Sequence, residues 1–345
     1  MNALPTPQFR VFTGEQIDAA VKAGKRDILD IVEAAYRAHH AGHTVNPESQ
    51  FLRFPDAHRN RIIALPAHIR RNRDDAGDSV TGIKWISSFP ENIERGMPRA
   101  SAVLILNDAV SGYPMACMEA SIISAARTAA SAISALRCLT RGEASVPRRV
   151  AFVGAGVIAR HVVESLPLAA LAIGEVAIHD LNIDYAESLA TRVRTHVGLQ
   201  ARAEPSLEAV IRSSDVIVFA TTASSPHLND PAWFSHCPVV LHLSLRDLAP
   251  AIVLASHNVV DDIDHCLRAM TSLHLTEAAT GHRHFVTTSL PHLLCGGDPP
   301  ERDRPIIFSP FGLGILDIAV GHWIYERLAA RQTPVPRFFL DMQRA

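Results

Sequence analysis

Residues 148–163 read RRVAFVGAGVIARHVV, and this stretch decides the fold. The apolar run to Val153 predicts a strand, Gly154, Gly156 and Ala159 follow in G-x-G-x-x-A spacing, and the residues beyond predict a helix. Each small residue has its own reason. Gly154 permits a tight turn, Gly156 lets the main chain approach a pyrophosphate, and Ala159 lets the helix pack on the strand. The amides of Val157 and Ile158 open that helix, whose positive end suits phosphate. A second strand, EVAIHD, ends in Asp180, placed to accept hydrogen bonds from both ribose hydroxyls and to repel a 2′-phosphate. Leu181 and Asn182 stand where NADP enzymes usually carry arginine, so NAD is the expected cofactor. The competing reading is a glycine turn that is structural only.

Working downstream, DVIVFA, PVVLHL and NVVDD are nearly all apolar and alternate with a helix whose apolar face is Tyr185, Ala186, Leu189, Ala190, Val193 and Val197. Strands of that kind belong to a parallel sheet covered on both faces, so this region is expected to be doubly wound. Thr221 and Thr222 leave one strand, and Ser244, Arg246 and Asp247 leave the next, all at the carboxyl edge where cofactor and substrate meet in such folds. Asp247 is a candidate general base or water-holder, against a plain surface turn; the threonines are candidate cofactor ligands, against strand capping.

Upstream the period changes near Pro147. A helix is predicted over 15–41, followed by β-like runs over 50–54, 61–68, 80–87, 102–106 and 113–118, punctuated by turn clusters such as NDAVSG. Helices are predicted over 119–140 and 313–329. The expected architecture is α/β: a doubly wound Rossmann domain over 131–309, and a discontinuous α+β domain over 1–130 with 310–345. Arg53 in FLRF and Lys84 in GIKWISSF sit between residues that prefer burial, where a cation needs an anionic partner. With Arg127 they are candidates for a carboxylate-binding pocket, against separate structural ion pairs. Ser124, Arg127, Thr128, Ser131 and Ser134 make a polar stripe on a small-residue helix, expected to border a wet cleft or a partner, unless Arg127 only snorkels to the surface.

Composition excludes several classes. With 33 Lys and Arg against 35 Asp and Glu, the net charge is -2 and offers no sequence-wide field for nucleic acid; HIRRNR is followed by compensating acids. Five scattered cysteines fit neither a disulfide framework nor a zinc site and suggest reduced thiols in a cytoplasm. The 18 histidines fall in no metal-ligand spacing, so no metal is expected. No uncharged apolar run long enough for a bilayer occurs, and MNALPTPQFR lacks a secretory apolar stretch, so no membrane association is expected.

The ordered set of Arg53, Lys84, Arg127, GAGVIA, Asp180, SLRD around Asp247 and SPFGLGILD resembles the ornithine cyclodeaminase and μ-crystallin family along almost the whole chain. The longer strings GIKWISSFPENIERGMPRASAVLILND, YPMACMEASIISAARTAAS, HLSLRDL, NVVDDIDHCLRA and IFSPFGLGILD are similar to the subgroup that makes 2,3-diaminopropionate for siderophores and peptide antibiotics. That resemblance implies NAD-dependent oxidation of N-(2-amino-2-carboxyethyl)-L-glutamate to 2-oxoglutarate and 2,3-diaminopropionate. It further implies substrate carboxylates on Arg53, Lys84 and Arg127, proton transfer assisted by Lys84 or Asp247, and a homodimer formed through the discontinuous domain. Ser309, Phe311 and Asp317 match a C-terminal segment that reaches toward the nicotinamide, which makes Asp317 a candidate cofactor contact. Within the same resemblance lie a redox-neutral cyclodeaminase, a ketimine reductase and a crystallin-like binder without turnover.

Overall fold

Residues 61–70 and 79–88 form the longest strand pair of the protein, in unbroken antiparallel register from Arg61 opposite Ser88 to Arg70 opposite Ser79. The computed structural model describes residues 8–70, 79–142 and 148–339; the second half of HIRRNR with the acids that follow it, the extreme N-terminus and Pro147 lie outside these. Two units result, Met1–Arg127 with Leu313–Ala345, and Thr128–Gly312. The division falls inside one helix, Ser121–Leu139.

The first unit carries β1 (Arg10–Phe12), β2 (Thr44–Val45), β3 (Gln50–Arg53), β4 (Arg61–Arg70), β5 (Ser79–Ser88), β6 (Ala100–Asn107) and β7 (Pro114–Glu119). They order as β1-β7-β6-β5-β4-β2, with β3 also on β4. Only the β1–β7 pair is parallel. Strand alternation sends Leu65, Lys84, Leu104 and Met118 to one face, where all are buried. The helix Gly314–Leu328 packs on this sheet and is inserted through glycines: a Cβ on Gly321 would lie 2.1 Å from Leu104, and one on Gly82 would lie 2.4 Å from the Ile105 carbonyl. Full burial of a residue such as Leu104 contributes about 2 kcal/mol.

The helix predicted over 15–41 is two helices, Gly14–Ala23 and Lys25–His40. Gly24 interrupts it because the Trp323 ring occupies the space of any Cβ there, at 2.1 Å. A local period cannot reveal a ring contributed from three hundred residues away.

The second unit carries β8 (Arg148–Val153), β9 (Ile173–His179), β10 (Ala201–Ala203), β11 (Val216–Phe219), β12 (Val239–His242), β13 (His257–Val260), β14 (Val286–Ser289) and β15 (Ile306–Ser309). All pair in parallel, in the order β10-β9-β8-β11-β12-β15-β13-β14. The chain reverses direction of winding at β8, which has β9 on one side and β11 on the other, and ligands bind at such a switch point. The strand β15 lies between β12 and β13, so the polar stretch GGDPPERDRP feeds a central strand before the last helix begins. Its four residues, IIFS, are too few to show a period.

The helix Ser121–Leu139 is long and apolar enough to cross a membrane by length and composition, yet most of it is buried inside the protein. Of its polar stripe, Ser124, Arg127, Ser131 and Ser134 are buried and Thr128 is half-buried.

Candidate active site

At the end of β8, Gly154 takes φ +95°, a conformation that disfavours side chains, and a Cβ there would meet the Ala220 carbonyl at 2.6 Å. Gly156 differs: it caps the helix Val157–Ser165 with extended backbone, is exposed, and has open space where a Cβ would project. No side chain caps that helix, and Val157 is exposed while Ala159 is fully buried against the fold. A pyrophosphate fits this arrangement, because the first helical amides face open space beside a residue without a side chain. Asp180, at the end of β9, accepts the Ala155 amide N–H at 2.8 Å and the Asn182 amide N–H at 2.9 Å. A carboxylate has about four acceptor positions, so Asp180 steadies the glycine loop and retains capacity for ribose hydroxyls.

One strand over, the same edge holds Asp247, which is completely buried. Thr221 donates its hydroxyl to Oδ1 at 2.5 Å, the Ser244 hydroxyl donates to Oδ2, and the imidazoles of His227 and His242 each approach at 3.1 Å. Burial by itself would raise this carboxyl, but the hydrogen bonds from His227, His242 and Ser244 outweigh it and hold the group well below the usual carboxylate range. Asp247 is therefore ionised and engaged on both oxygens. It is a poor proton acceptor, and its geometry is that of a residue that fixes its neighbours. Thr222, next to Thr221, is exposed. Leu245 takes φ +69° within this turn, whose shape is fixed by the Ser272 amide donating to the Leu245 carbonyl and by Arg246 donating to the Ala269 carbonyl, both at 2.7 Å.

In the first unit, Lys84 and Arg127 come together on Asp317. Lys84 Nζ donates to Oδ2 at 2.6 Å, Arg127 Nε donates to Oδ1 at 3.2 Å, and both cations also reach the Ser124 hydroxyl at 3.3 Å. Lys84 and Asp317 are 1% and 0% exposed. Burial between Leu65 and Leu104 lowers the Lys84 ammonium to about 8; Asp317 opposes the shift and Arg127 reinforces it. Two cationic side chains thus converge on one carboxylate in a dry place, a grouping of charged donors that suits an anionic group.

Two expectations change here. Asp317 is in the first unit as the buried counter-ion of Lys84 and Arg127, with both oxygens taken, and not as an open cofactor contact. Arg53 is not a buried cation: β3 pairs only with β4, so its side chains stay largely in solvent, and Arg53 lies over the Phe51 ring at 5.2 Å. It does not join the Lys84–Arg127 pair.

The sequence reading missed several partners. His242 had a signal, as the polar residue ending the apolar strand β12, and His227 had none; Ser309, singled out with the C-terminal segment, bonds His242 at 3.3 Å. Asp261 was also missed. Its buried carboxylate accepts the Phe311 and Gly312 amides at 2.9 and 2.7 Å, which pins the SPFG loop; burial raises this carboxyl, and those two bonds oppose the rise. Among the described residues all five cysteines are free thiols and no His, Cys, Asp and Glu group is arranged to hold a metal.

The chain is similar to known proteins along most of its length. The chain is 27% identical over 311 residues to N-((2S)-2-amino-2-carboxyethyl)-L-glutamate dehydrogenase of Staphylococcus aureus, covering 87% of this chain and 89% of that one. An archaeal alanine dehydrogenase dimer with bound NAD superposes with a TM-score of 0.83 at 25% identity, covering 96% of this chain and all of that one. The Thermococcus litoralis Delta(1)-pyrroline-2-carboxylate reductase in complex with NADH and L-proline has the same fold, with a TM-score of 0.85 at 22% identity over 94% of this chain and all of that one. Residues 14–237, more than half of the sequence, match the family directly, and the chain belongs to the ornithine cyclodeaminase/mu-crystallin family.

Proposed function

We propose that this NAD-dependent dehydrogenase, which acts on CH–NH bonds, oxidatively cleaves N-(2-amino-2-carboxyethyl)-L-glutamate to 2-oxoglutarate and 2,3-diaminopropionate, a building block of siderophores and peptide antibiotics. The observation that carries this reading is the buried Lys84–Asp317–Arg127 cluster, which sets two cationic side chains together for a substrate bearing three carboxylates. The Staphylococcus aureus relative, matched over most of both chains, supports the choice of substrate.

Bound NAD supplies a hydride acceptor for the carbon that bears the bridging nitrogen. Gly154, Gly156 and the amides of Val157 and Ile158 would hold its pyrophosphate, and Asp180 its ribose. Thr221 and Ser244 line the same edge and are kept in place by Asp247. Arg127 binds and orients a substrate carboxylate. Lys84, with its ammonium lowered to about 8, is near enough to neutrality to take the proton of the substrate amine, so that the nitrogen lone pair is available as hydride departs.

The outer face of the first unit's sheet carries Val11, Trp85 and Val103, each at least 40% exposed, opposite the face covered by the helix Gly314–Leu328. A second copy of the chain covers this face in our reading, in keeping with the dimeric archaeal alanine dehydrogenase.

Incubation with NAD and a panel of N-(2-amino-2-carboxyethyl)-L-glutamate, alanine, proline, arginine and ornithine tests the proposal by absorbance of reduced cofactor. Net reduction with the glutamate conjugate is expected. Conversion of ornithine to proline without net reduction would favour the redox-neutral cyclodeaminase instead.

A further inference from the structure

Two imidazoles lean on Asp247, and they differ in one respect. His242 is 1% exposed, whereas the His227 side chain is 39% exposed, although its Nε2 lies 3.1 Å from the same buried carboxylate. His227 stands on the loop leaving β11, beside Thr221, at the carboxyl edge that also carries the Gly154 turn. Its position is set twice, because its own amide N–H and that of Leu228 both donate to the Asp247 carbonyl at 3.0 Å. An ionised carboxylate only accepts, so Nε2 carries a proton, and in the neutral ring Nδ1 is then the nitrogen with the lone pair. Among the described residues Nδ1 has no hydrogen-bond partner. A half-open imidazole, oriented from behind by a buried carboxylate, is the arrangement used where a histidine takes a proton from an attacking oxygen.

We propose that His227 is the catalytic proton acceptor for the water that opens the imine, with Asp247 as its positioning residue; this rests on the cleavage reaction proposed above. Water oxygen bonds to the imine carbon, one water proton passes to Nδ1, and the C=N π pair returns to nitrogen. His227 then gives that proton to nitrogen, the C–N bond breaks with its electron pair on nitrogen, and oxygen forms the carbonyl as its remaining proton leaves through His227 to solvent. No oxidant beyond the hydride acceptor of the preceding step is needed. Asp247 cannot fill this role itself, since both its oxygens are occupied and it is held ionised.

His227→Gln keeps an N–H where Nε2 lies and removes the basic nitrogen. In rapid-quench single turnovers, wild type is expected to form reduced cofactor and 2-oxo acid together. The variant is expected to form reduced cofactor at the wild-type rate and to release 2-oxo acid about 100-fold more slowly. In His227→Ala, added imidazole is expected to restore the second step. Release by His227→Gln within twofold of wild type, or equal slowing of both steps, overturns the proposal. If wild type ignores the glutamate conjugate, the cleavage reading fails, and alanine, whose imine also opens with water, decides His227 by the same comparison. Independently of substrate, ¹⁵N spectra of labelled histidine must show His227 protonated at Nε2 and bare at Nδ1; the opposite tautomer overturns the proposal.

Discussion

Asp317 in the first unit and Asp247 in the second are both completely buried, and they are satisfied in opposite ways. Asp317 is held by two cations, Lys84 and Arg127, whereas Asp247 is held by two hydroxyls and two imidazoles. The first arrangement gathers charge: two cationic side chains meet on one carboxylate, and its lysine sits close to releasing a proton. The second stores geometry, because hydroxyls and imidazoles converge on a carboxylate that does not itself titrate near neutrality. A buried carboxylate is thus no guide to a catalytic base. What surrounds it decides whether the mobile proton belongs to it or to a neighbour.

The sharpest way to break this contrast is Asp317→Ala. Lys84 and Arg127 would be left as like charges in a dry place, and the loss of stability is expected to be about 3–5 kcal/mol, read by denaturant unfolding. The equivalent change at Asp247 leaves hydroxyls and imidazoles behind, rather than a lysine and an arginine, and is expected to cost less. A larger loss at Asp247 would reverse the argument.

Lys84→Met comes next. Asp317 keeps Arg127, so the fold is expected to survive while turnover falls by about 10²–10⁴-fold in steady-state assays. The pH dependence follows from the lowered folded-state value of Lys84. Between about 8 and the ordinary 10.5 the unfolded chain binds more protons than the folded one, so stability rises with pH across that window and the contribution is lost as pH falls to about 8. Lys84→Met is expected to lack that slope in unfolding curves recorded from pH 7 to 11.

The glycine loop was legible in the sequence because its requirements are local: three small residues at fixed offsets, a strand before, a helix after and an acid at the end of the next strand. The partners of the buried groups were not. Lys84 meets Asp317 across 233 positions, Arg127 meets it across 190, and β15 enters the sheet between strands that precede it in sequence. Arg53 was misjudged for a related reason, since FLRF reads alike on a central strand and on an edge strand, and only the pairing of β3 exposes it.

Two glycines separate fold from ligand within the second unit. Gly154→Ala forces φ +95° and a close approach to Ala220, so it is expected to destabilise by about 1–3 kcal/mol in thermal unfolding. Gly156→Ala meets open space and is expected to leave unfolding unchanged while weakening NAD, read by calorimetry, by about tenfold. The smallest expected effect is on assembly: Trp85→Glu with Val103→Glu is expected to give monomers by light scattering with the secondary structure intact.

The most direct measurement is quantification of reduced cofactor, 2-oxoglutarate and 2,3-diaminopropionate in one time course with N-(2-amino-2-carboxyethyl)-L-glutamate and NAD. Equal amounts of all three are expected; absence of any one of them, or recovery of the conjugate unchanged, would contradict the account.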